Sequence, residues 1–403
     1  MIFQGRVLGG VVFLVFCVAF FAGIATPAAA QYDWEAVVGG GATLGNGFGD
    51  ADNQGIGAMA MFNGRLFAAS SHHSGLTFQL WWTDDGTSWT KHADDGFGDA
   101  NNLGVLAMAV FDGNLYAATV NNTAGAQIYR TANGTDWTRV ANNGIMNANN
   151  NAVICLAVHD GQLFAGTENQ VEGGQIYRTS NGTLWYPVVV DGFGLPANRA
   201  VASLQSYGGR LYAGTYKDST LKNLPAELWR TQDLVNWESK WADGFGDSYN
   251  MAYPSMAVYD GYLFVGTTQL NVVFGAGCEV WRWDGVDLHS PQQVGTGGFG
   301  SKTSVSATRF FQFGGDLLVG VENPGGGKLM RFQGILSWDT LVADGFGNVN
   351  NVATFGGATF NGSLYVGTTN LTQGAEVYRS SGASIFSDSF ESGNTDAWSG
   401  TVG

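Results

Sequence analysis

A short motif recurs seven times along the chain and restricts the folds that it can adopt. Each copy reads Gly-x-Leu followed by an aromatic residue and small residues, with one degenerate copy, the sixth. The motif leucines lie 47 to 54 residues apart, at Leu66, Leu115, Leu163, Leu211, Leu263, Leu317 and Leu364. A repeat of this length indicates a structure in which each repeat is one supersecondary unit and neighbouring units bury a common core.

Each repeat contains four strand-like segments. In the second repeat an apolar segment, residues 105–111, precedes the pair Asp112-Gly113, and a second strand-like segment, residues 115–119, follows it. Such Asp-Gly pairs favour tight hairpins, because both central residues of the turn need positive φ. The third segment ends in Tyr129-Arg130-Thr131, and the fourth begins at Trp137. Four antiparallel strands in about fifty residues are typical of one blade of a β-propeller.

The two ends of the repeat array complement each other. The seventh repeat ends after its third strand, at Tyr378-Arg379-Ser380, and the segment from Trp34 to Val38 resembles the missing fourth strand. Pairing these ends would leave only short, protected sheet edges. We therefore predict an all-β fold, a single seven-bladed β-propeller of four-stranded antiparallel blades over residues 31–383, with its last blade closed by the N-terminal strand.

The segments before and after the repeat array do not contain the repeated motif. Residues 1–30 resemble a signal peptide, with Arg6, an apolar stretch over residues 11–24 and a small-residue cleavage site at Ala28-Ala29-Ala30. We expect an exported protein, either secreted or held in the periplasm or at the cell surface, with no membrane span after cleavage. The C-terminal tail, residues 384–403, resembles the terminal phrase of many secreted bacterial proteins. It is interpreted either as a flexible tail or as an attachment signal.

Composition excludes several classes of partner. The formal net charge is −15 and only 13% of residues are charged, whereas nucleic-acid binding needs a surplus of Lys and Arg. An anionic membrane surface is disfavoured for the same reason. Cys155 and Cys278 lie in strand-like segments, and we expect two buried thiols rather than a disulfide. No spacing of Cys or His residues indicates a metal site, and we expect a monomer without a cofactor.

The turn between the third and fourth strands carries Thr-x-Asp/Asn-Gly-x-x-Trp in three repeats and a variant without the Gly in a fourth. Its acidic or amide residues are Asp85, Asn133, Asn181 and Asp233. Such side chains bond to backbone N–H groups two residues on, and Gly accepts positive φ. The motif resembles the Asp box of sialidase-like propellers, with one residue fewer between Asp and Gly. This resemblance implies a structural role for the four residues, on the face opposite the active site.

The superfamily includes sialidases, xyloglucan-cleaving glycosidases, photosystem assembly factors and receptor ectodomains, so the resemblance implies a fold far more than an activity. Its sialidases resemble six-bladed rings with an Arg-Ile-Pro motif and three arginines that hold a carboxylate. This chain has no Arg-Ile-Pro, and only Arg199 and Arg309 lie near the connections on the expected active face. The resemblance therefore does not imply a typical sialidase.

A second motif, Gly-Phe-Gly-x-x-x-Asn, joins one repeat to the next. Six copies of this connection end in an amide, namely Asn53, Asn102, Asn150, Asn198, Asn250 and Asn351. One interpretation is structural, because Asn can cap exposed backbone groups. The other is a ring of amides at the channel mouth that binds sugar or peptide. The acidic neighbours Asp50, Asp52, Asp99 and Asp247 leave calcium as an alternative, although three spaced oxygen ligands per loop are not evident.

A single site must break the repeat, because a structural device recurs in every unit. The polar residues that break it lie at the ends of the second strands or directly after them: His72, His73, Glu168, Lys217, Asp218 and Glu322. Glu168 and Glu322 are the candidate catalytic residues, since two facing carboxylates can cleave a glycosidic bond. His72, His73 and Lys217 join the amides as candidate ligand-binding residues. We favour a binding or interaction protein for carbohydrate or an extracellular protein over an enzyme, with a glycoside hydrolase as the alternative.

Overall fold

The computed structural model describes residues 32–72, 77–218, 224–269, 275–334 and 336–381. The predicted signal peptide, the C-terminal tail and His73 lie outside these residues. The described chain forms one compact unit. None of its helices is long and apolar enough to cross a membrane.

The described residues form 28 strands and four short helical turns. The strands are β1 (Asp33–Val38), β2 (Gly55–Phe62), β3 (Arg65–Ser71), β4 (Leu80–Thr83), β5 (Thr90–Lys91), β6 (Gly104–Phe111), β7 (Asn114–Val120), β8 (Ile128–Thr131), β9 (Thr138–Ala141), β10 (Asn150–His159), β11 (Gln162–Asn169), β12 (Ile176–Thr179), β13 (Tyr186–Val189), β14 (Asn198–Tyr207), β15 (Arg210–Lys217), β16 (Leu228–Thr231), β17 (Trp237–Trp241), β18 (Ala252–Tyr259), β19 (Tyr262–Thr268), β20 (Val280–Trp283), β21 (Gln292–Gly295), β22 (Ser306–Phe313), β23 (Asp316–Glu322), β24 (Lys328–Phe332), β25 (Trp338–Val342), β26 (Ala353–Phe360), β27 (Ser363–Thr369) and β28 (Val377–Ser381). The helical turns are Asn46–Gly49, Asp95–Gly98, Gly244–Gly246 and Gly297–Gly300.

Consecutive strands pair antiparallel in groups of four. The first group is β2 to β5, and the same order recurs from β6 to β25. The strands β26, β27 and β28 form the remaining antiparallel set. The fold is therefore all-β, as the repeats predict.

The first strand pairs with the last one. Trp34 lies opposite Ser380 and Ala36 lies opposite Tyr378 in an antiparallel register, which is the pairing that the sequence predicts for these segments. The buried side chains of Val37 and Val38 pack in one apolar cluster with Ile56. Residues from both ends of the described chain thus share one core.

The hairpin between the first and second strands of each group forms because its turn residues accept a left-handed backbone. Asp112 has φ 46° and Gly113 has φ 69°, as a two-residue turn with positive φ at both positions requires. The second strand is buried on both faces, as the pattern of β7 shows from Leu115 to Thr119. Its small residues permit close packing: a Cβ on Gly166 in β11 would come within 2.6 Å of Cys155 Sγ.

Neighbouring groups contact each other through their first two strands. Ser71 of β3 pairs with Gly104 of β6, and Thr369 of β27 pairs with Gly55 of β2. Where β23 approaches β26, Asn323 N donates to Val352 O over 2.8 Å. The first strands therefore lie side by side, and together they line one cavity.

Phenylalanines of the Gly-Phe-Gly turns fill the space between groups. Phe48 stacks on Trp81 with ring centroids 4.7 Å apart, and Trp89 meets it edge-on at 5.4 Å. The same arrangement surrounds Phe193, which stacks on Trp229 at 4.8 Å. Phe48 has φ 59°, a conformation that bulky residues rarely adopt. The stacking energy and the fit of the turn offset this backbone strain.

Replacing Val38 by Ala should lower the free energy of unfolding by about 2 kcal/mol, because Val38 is fully buried and its loss leaves a cavity between β1 and the core. Urea unfolding followed by tryptophan fluorescence measures the change. Asp33→Ala is the control, since Asp33 is exposed on the same strand and should change stability by less than about 0.5 kcal/mol. Equal, small effects of both substitutions would show that β1 contributes little to the fold.

Candidate functional site

The six amides of the Gly-Phe-Gly-x-x-x-Asn motif are buried rather than displayed at a surface. In each, Nδ2 donates to the carbonyl oxygen of the first motif glycine, for example from Asn102 to Gly96 over 2.9 Å. The distances for the others are 2.7 Å from Asn53, 2.7 Å from Asn150, 2.7 Å from Asn198, 2.8 Å from Asn250 and 2.9 Å from Asn351. The structural interpretation of these amides therefore fits, and their burial removes the reason to treat them as ligand-binding residues.

Each buried amide also reaches the next four-stranded group. Asn102 Nδ2 donates to Gln127 Oε1 over 3.2 Å, and Asn250 Nδ2 donates to Glu279 Oε2 over 2.7 Å. Asn102 Oδ1 in turn accepts from Thr119 Oγ1 and Asn121 Nδ2. The amide thus joins a turn to the strands of the group that follows it.

The four residues of the Asp-box-like turns cap their own backbone. Asp85 Oδ1 accepts from Ser88 N over 2.6 Å and from Thr87 N over 2.7 Å. The equivalent oxygens of Asn133, Asn181 and Asp233 accept from the same two positions of their turns. The backbone N–H of Ser88, followed by that of Thr87, holds the pKa of Asp85 well below its usual range. These contacts agree with the structural role that the resemblance implies.

Lys217, a predicted ligand-binding residue, lies in the interior. Its side chain is buried, and Nζ lies 2.8 Å from Glu227 Oε1. Glu227 also accepts from Asn198 Nδ2 and Trp229 Nε1, so the ion pair belongs to the same network as the amides. His72 is also buried, with 8% of its surface exposed. Both predicted binding residues are therefore buried rather than exposed on a loop surface.

The first strands of the groups surround a cavity of about 650 Å³, which we call the central channel. Its wall is mostly apolar and comes from the first strands of the groups, with residues such as Leu106, Ile154 and Met256. Ser71, Glu322 and Thr369 also line it. These three residues end β3, β23 and β27, so they mark the end of the channel where the second strands finish.

Only one member of the predicted carboxylate pair lines this cavity. Glu322 belongs to its wall and is partly accessible, and burial raises the pKa of its carboxyl group. Glu168 is absent from the wall, and its Oε1 accepts a hydrogen bond from Gln170 Nε2 over 3.0 Å. The structure therefore does not bring the two glutamates together in the channel.

Two further residues of the wall carry reactive or charged groups. Arg309 of β22 lines the cavity, and so does Cys155 of β10. Cys155 and Cys278 are both free thiols, as expected, and Cys278 is fully buried whereas Cys155 is half-buried in the cavity wall. Burial raises the pKa of Cys155 to about 12. The sequence could have indicated Arg309 as a site residue, because it has a charged side chain where the other repeats have small residues.

The acidic residues of the Gly-Phe-Gly loops form hydrogen bonds with amides. Asp99 Oδ2 accepts from Gln127 Nε2 over 2.7 Å, and Asp247 Oδ2 accepts from Gln269 Nε2 over 2.9 Å. In the described parts of the chain no three His, Cys, Asp or Glu side chains are grouped as metal ligands. Calcium therefore remains without an identified ligand set.

Comparison with known proteins shows the fold and no activity. No protein-family model matches the sequence, and no curated protein matches it. An ancestral GH74 enzyme has a TM-score of 0.54 at 12% identity, over 83% of this chain and 48% of that chain. The polysaccharide lyase Uly1 has a TM-score of 0.50 at 10% identity, over 86% of this chain and 94% of that chain. These two likenesses show a β-propeller fold.

Replacing Asn102 by Ala should lower the free energy of unfolding by about 2–3 kcal/mol, because Gly96 O and Gln127 Oε1 lose a buried donor. Chemical denaturation measures the loss. The matched control is Asn101→Ala, which removes an exposed amide from the same turn. A loss of similar size in both variants would contradict the role assigned to Asn102.

Asp85→Asn should make the protein less sensitive to acid. A carboxyl group whose pKa is lowered in the folded state stabilises the fold above its unfolded pKa of about 3.9, and this contribution is lost as the pH falls below that value. The wild type should therefore lose more stability between pH 5 and pH 2.5 than Asp85→Asn does, in urea unfolding at each pH. Asp84→Asn, whose exposed side chain does not cap the turn, should follow the wild type. Parallel curves for wild type and Asp85→Asn would refute the capping role.

Proposed function

We propose that this protein is an exported binding propeller that holds a carbohydrate at the end of its central channel. The observation that carries the proposal is the cavity of about 650 Å³ with Ser71, Glu322 and Thr369 at one end. The proposed binding requires neither metal nor cofactor, and the protein acts as a monomer. Its export rests on the predicted signal peptide.

The proposal includes a ring of seven blades. Six groups of four strands, with β26 to β28 completed by β1, supply seven sectors, and the pairing of Trp34 with Ser380 supports closure by the N-terminal strand. Pairings between neighbouring groups, such as Glu168 of β11 with Ala200 of β14, support a circular order. A ring of this kind surrounds a channel that is open to a ligand at its ends.

The proposed ligand site depends on positions where the repeats differ. At the ends of the seven second strands the residues are Ser71, Val120, Glu168, Tyr216, Thr268, Glu322 and Thr369. Three of them line the cavity, and they supply two hydroxyls and one carboxyl group. Apolar wall residues such as Leu106 and Phe355 lie in the same cavity. A few polar groups beside an apolar wall are typical of small-molecule sites.

Binding is favoured over hydrolysis because the cavity wall contains one carboxyl group. Cleavage of a glycosidic bond usually needs two carboxyl groups about 5–10 Å apart. Glu322 is the only acidic residue among those that line the cavity in the described chain. The internal segments outside the described residues, 73–76, 219–223, 270–274 and 335, contain no Asp or Glu. A second carboxylate for this cavity therefore has no evident source in those segments.

A glycoside hydrolase remains the second candidate, because one observation favours it. The pKa of Glu322 is raised by burial, and a glutamic acid with a raised pKa can serve as a general acid near neutral pH. Such an enzyme would need a second group to activate the attacking water, and the bound substrate would have to supply it. The two candidates therefore differ in whether a bound glycan is recovered intact.

Glu322→Gln should weaken binding of the mature protein to its glycan by tenfold or more, since the substitution alters a polar group at the channel end. A glycan array identifies the ligand, and calorimetry on that ligand, with and without EDTA, measures the affinity. Glu172→Gln is the control, because Glu172 is exposed and does not line the cavity. Unchanged affinity for Glu322→Gln would refute a site at the channel end.

The same assay separates the alternatives. If the protein binds no glycan on the array, a protein ligand on this face would be favoured. Release of reducing sugar by the wild type, abolished in Glu322→Gln, would favour the hydrolase. If Glu168→Gln abolished that release as well, Glu168 and Glu322 would be supported as a catalytic pair.

A further inference from the structure

One residue of the channel wall departs from all its equivalents in charge. Arg309 lies in β22, four residues before the end of the strand at Phe313. The residues at the same position of the other first strands are Ala58, Ala107, Cys155, Ser203, Ser255 and Gly356. All seven residues line the cavity. A recurring structural role does not need a guanidinium group at this place, because the six other strands do without one.

The polar equivalents of Arg309 are engaged within the wall. Ser203 Oγ donates to Tyr253 O over 2.6 Å, and Ser255 Oγ donates to Ala307 O over 2.8 Å. Cys155 Sγ makes the same kind of contact with Val201 O over 3.4 Å. Each of these side chains therefore bonds to the backbone of the next first strand.

Arg309 uses only part of its hydrogen-bonding capacity in this way. Its Nε donates to Phe355 O over 3.1 Å. An arginine side chain has five N–H donors, and in the described chain no acceptor is bound to the Nη1 and Nη2 groups. The fork of the guanidinium is thus available to a ligand in the cavity that Arg309 lines.

The charge of Arg309 also lacks a partner. In the described residues no carboxylate forms an ion pair with its guanidinium. Cys155 is the neighbouring titratable group, and with a pKa of about 12 its thiol stays neutral. Burial lowers the pKa of Arg309, but an arginine remains protonated at neutral pH. A partly buried, uncompensated charge is costly, and an anion would offset that cost.

We propose that Arg309 is an anion subsite in the central channel and that the ligand carries a carboxylate. The planar fork of Nη1 and Nη2 matches the two oxygens of a carboxylate, which it can bind in a bidentate manner. The inference rests on the proposed function, because it names the chemical class of the carbohydrate as an acidic sugar. Apolar residues of the same wall, such as Phe310 and Phe355, lower the local dielectric constant and strengthen such a contact.

The test compares a carboxylate with its neutral amide. Calorimetry and thermal shift with glucuronate, glucuronamide and glucose are measured on the wild type, Arg309→Gln and Arg309→Lys. Glucuronate should bind the wild type at least tenfold more tightly than glucuronamide does. Arg309→Gln should abolish that preference, whereas Arg309→Lys should retain part of it because the charge remains without the fork.

Controls keep folding and binding apart. Arg309→Gln removes an unpaired charge, so its melting temperature without ligand should equal or exceed that of the wild type. Arg65→Gln is the matched control, since Arg65 packs over Trp82 at 4.0 Å and does not line the cavity, and it should keep the preference for glucuronate.

Three results would overturn the anion subsite. These are equal binding of glucuronate and glucuronamide, an unchanged preference in Arg309→Gln, or binding of chloride or sulfate without any binding of glucuronate. If the protein binds a neutral glycan on the array, and Glu322→Gln weakens that binding, the proposed function would be supported and this subsite refuted. The two proposals can therefore fail separately.

Discussion

The buried amide of the Gly-Phe-Gly-x-x-x-Asn turn is the interaction on which the architecture depends. In Asn102 and its five equivalents, one amide nitrogen closes a turn and contacts the following four-stranded group. The turn sets the phenylalanine between aromatic residues, as Phe48 shows with Trp81 and Trp89. Because each amide satisfies buried polar groups that water cannot reach, its loss is costly. This contact therefore ties each turn to the group that follows it.

The residues that differ most in chemistry between the repeats lie in the wall of the channel. Repeated positions satisfy one another, whereas Arg309 and Glu322 present charge or a carboxyl group to a common cavity without a described ion-pair partner. A ring of similar units therefore provides a rigid frame, and single departures from the repeat provide chemistry. This division explains why the fold can be compared with distant solved structures while the activity cannot.

Strands, hairpins and capped turns could be predicted from the sequence because their causes are local, such as the Asp112-Gly113 pair and the carboxyl group of Asp85. The burial of individual polar side chains could not be predicted. Asn102 and Lys217 are polar residues in loops or at strand ends, yet both are buried. Arg309 was expected near a connection, but a β-bulge between Ala307 and Arg309 alters the alternation of β22, and a bulge has no reliable sequence signal. Its place in the channel wall therefore needed the three-dimensional structure.

The pairing of β1 with β28 has a consequence for the order of folding. Of the described strands, β1 is synthesised first and β28 last, and they pair across a sequence separation of more than 300 residues. Contacts of such long range form slowly, because the loop that they close is large. The final group can thus be completed only after synthesis of the whole repeat array. Until then the apolar edge around Val377 stays open to chaperones and to aggregation.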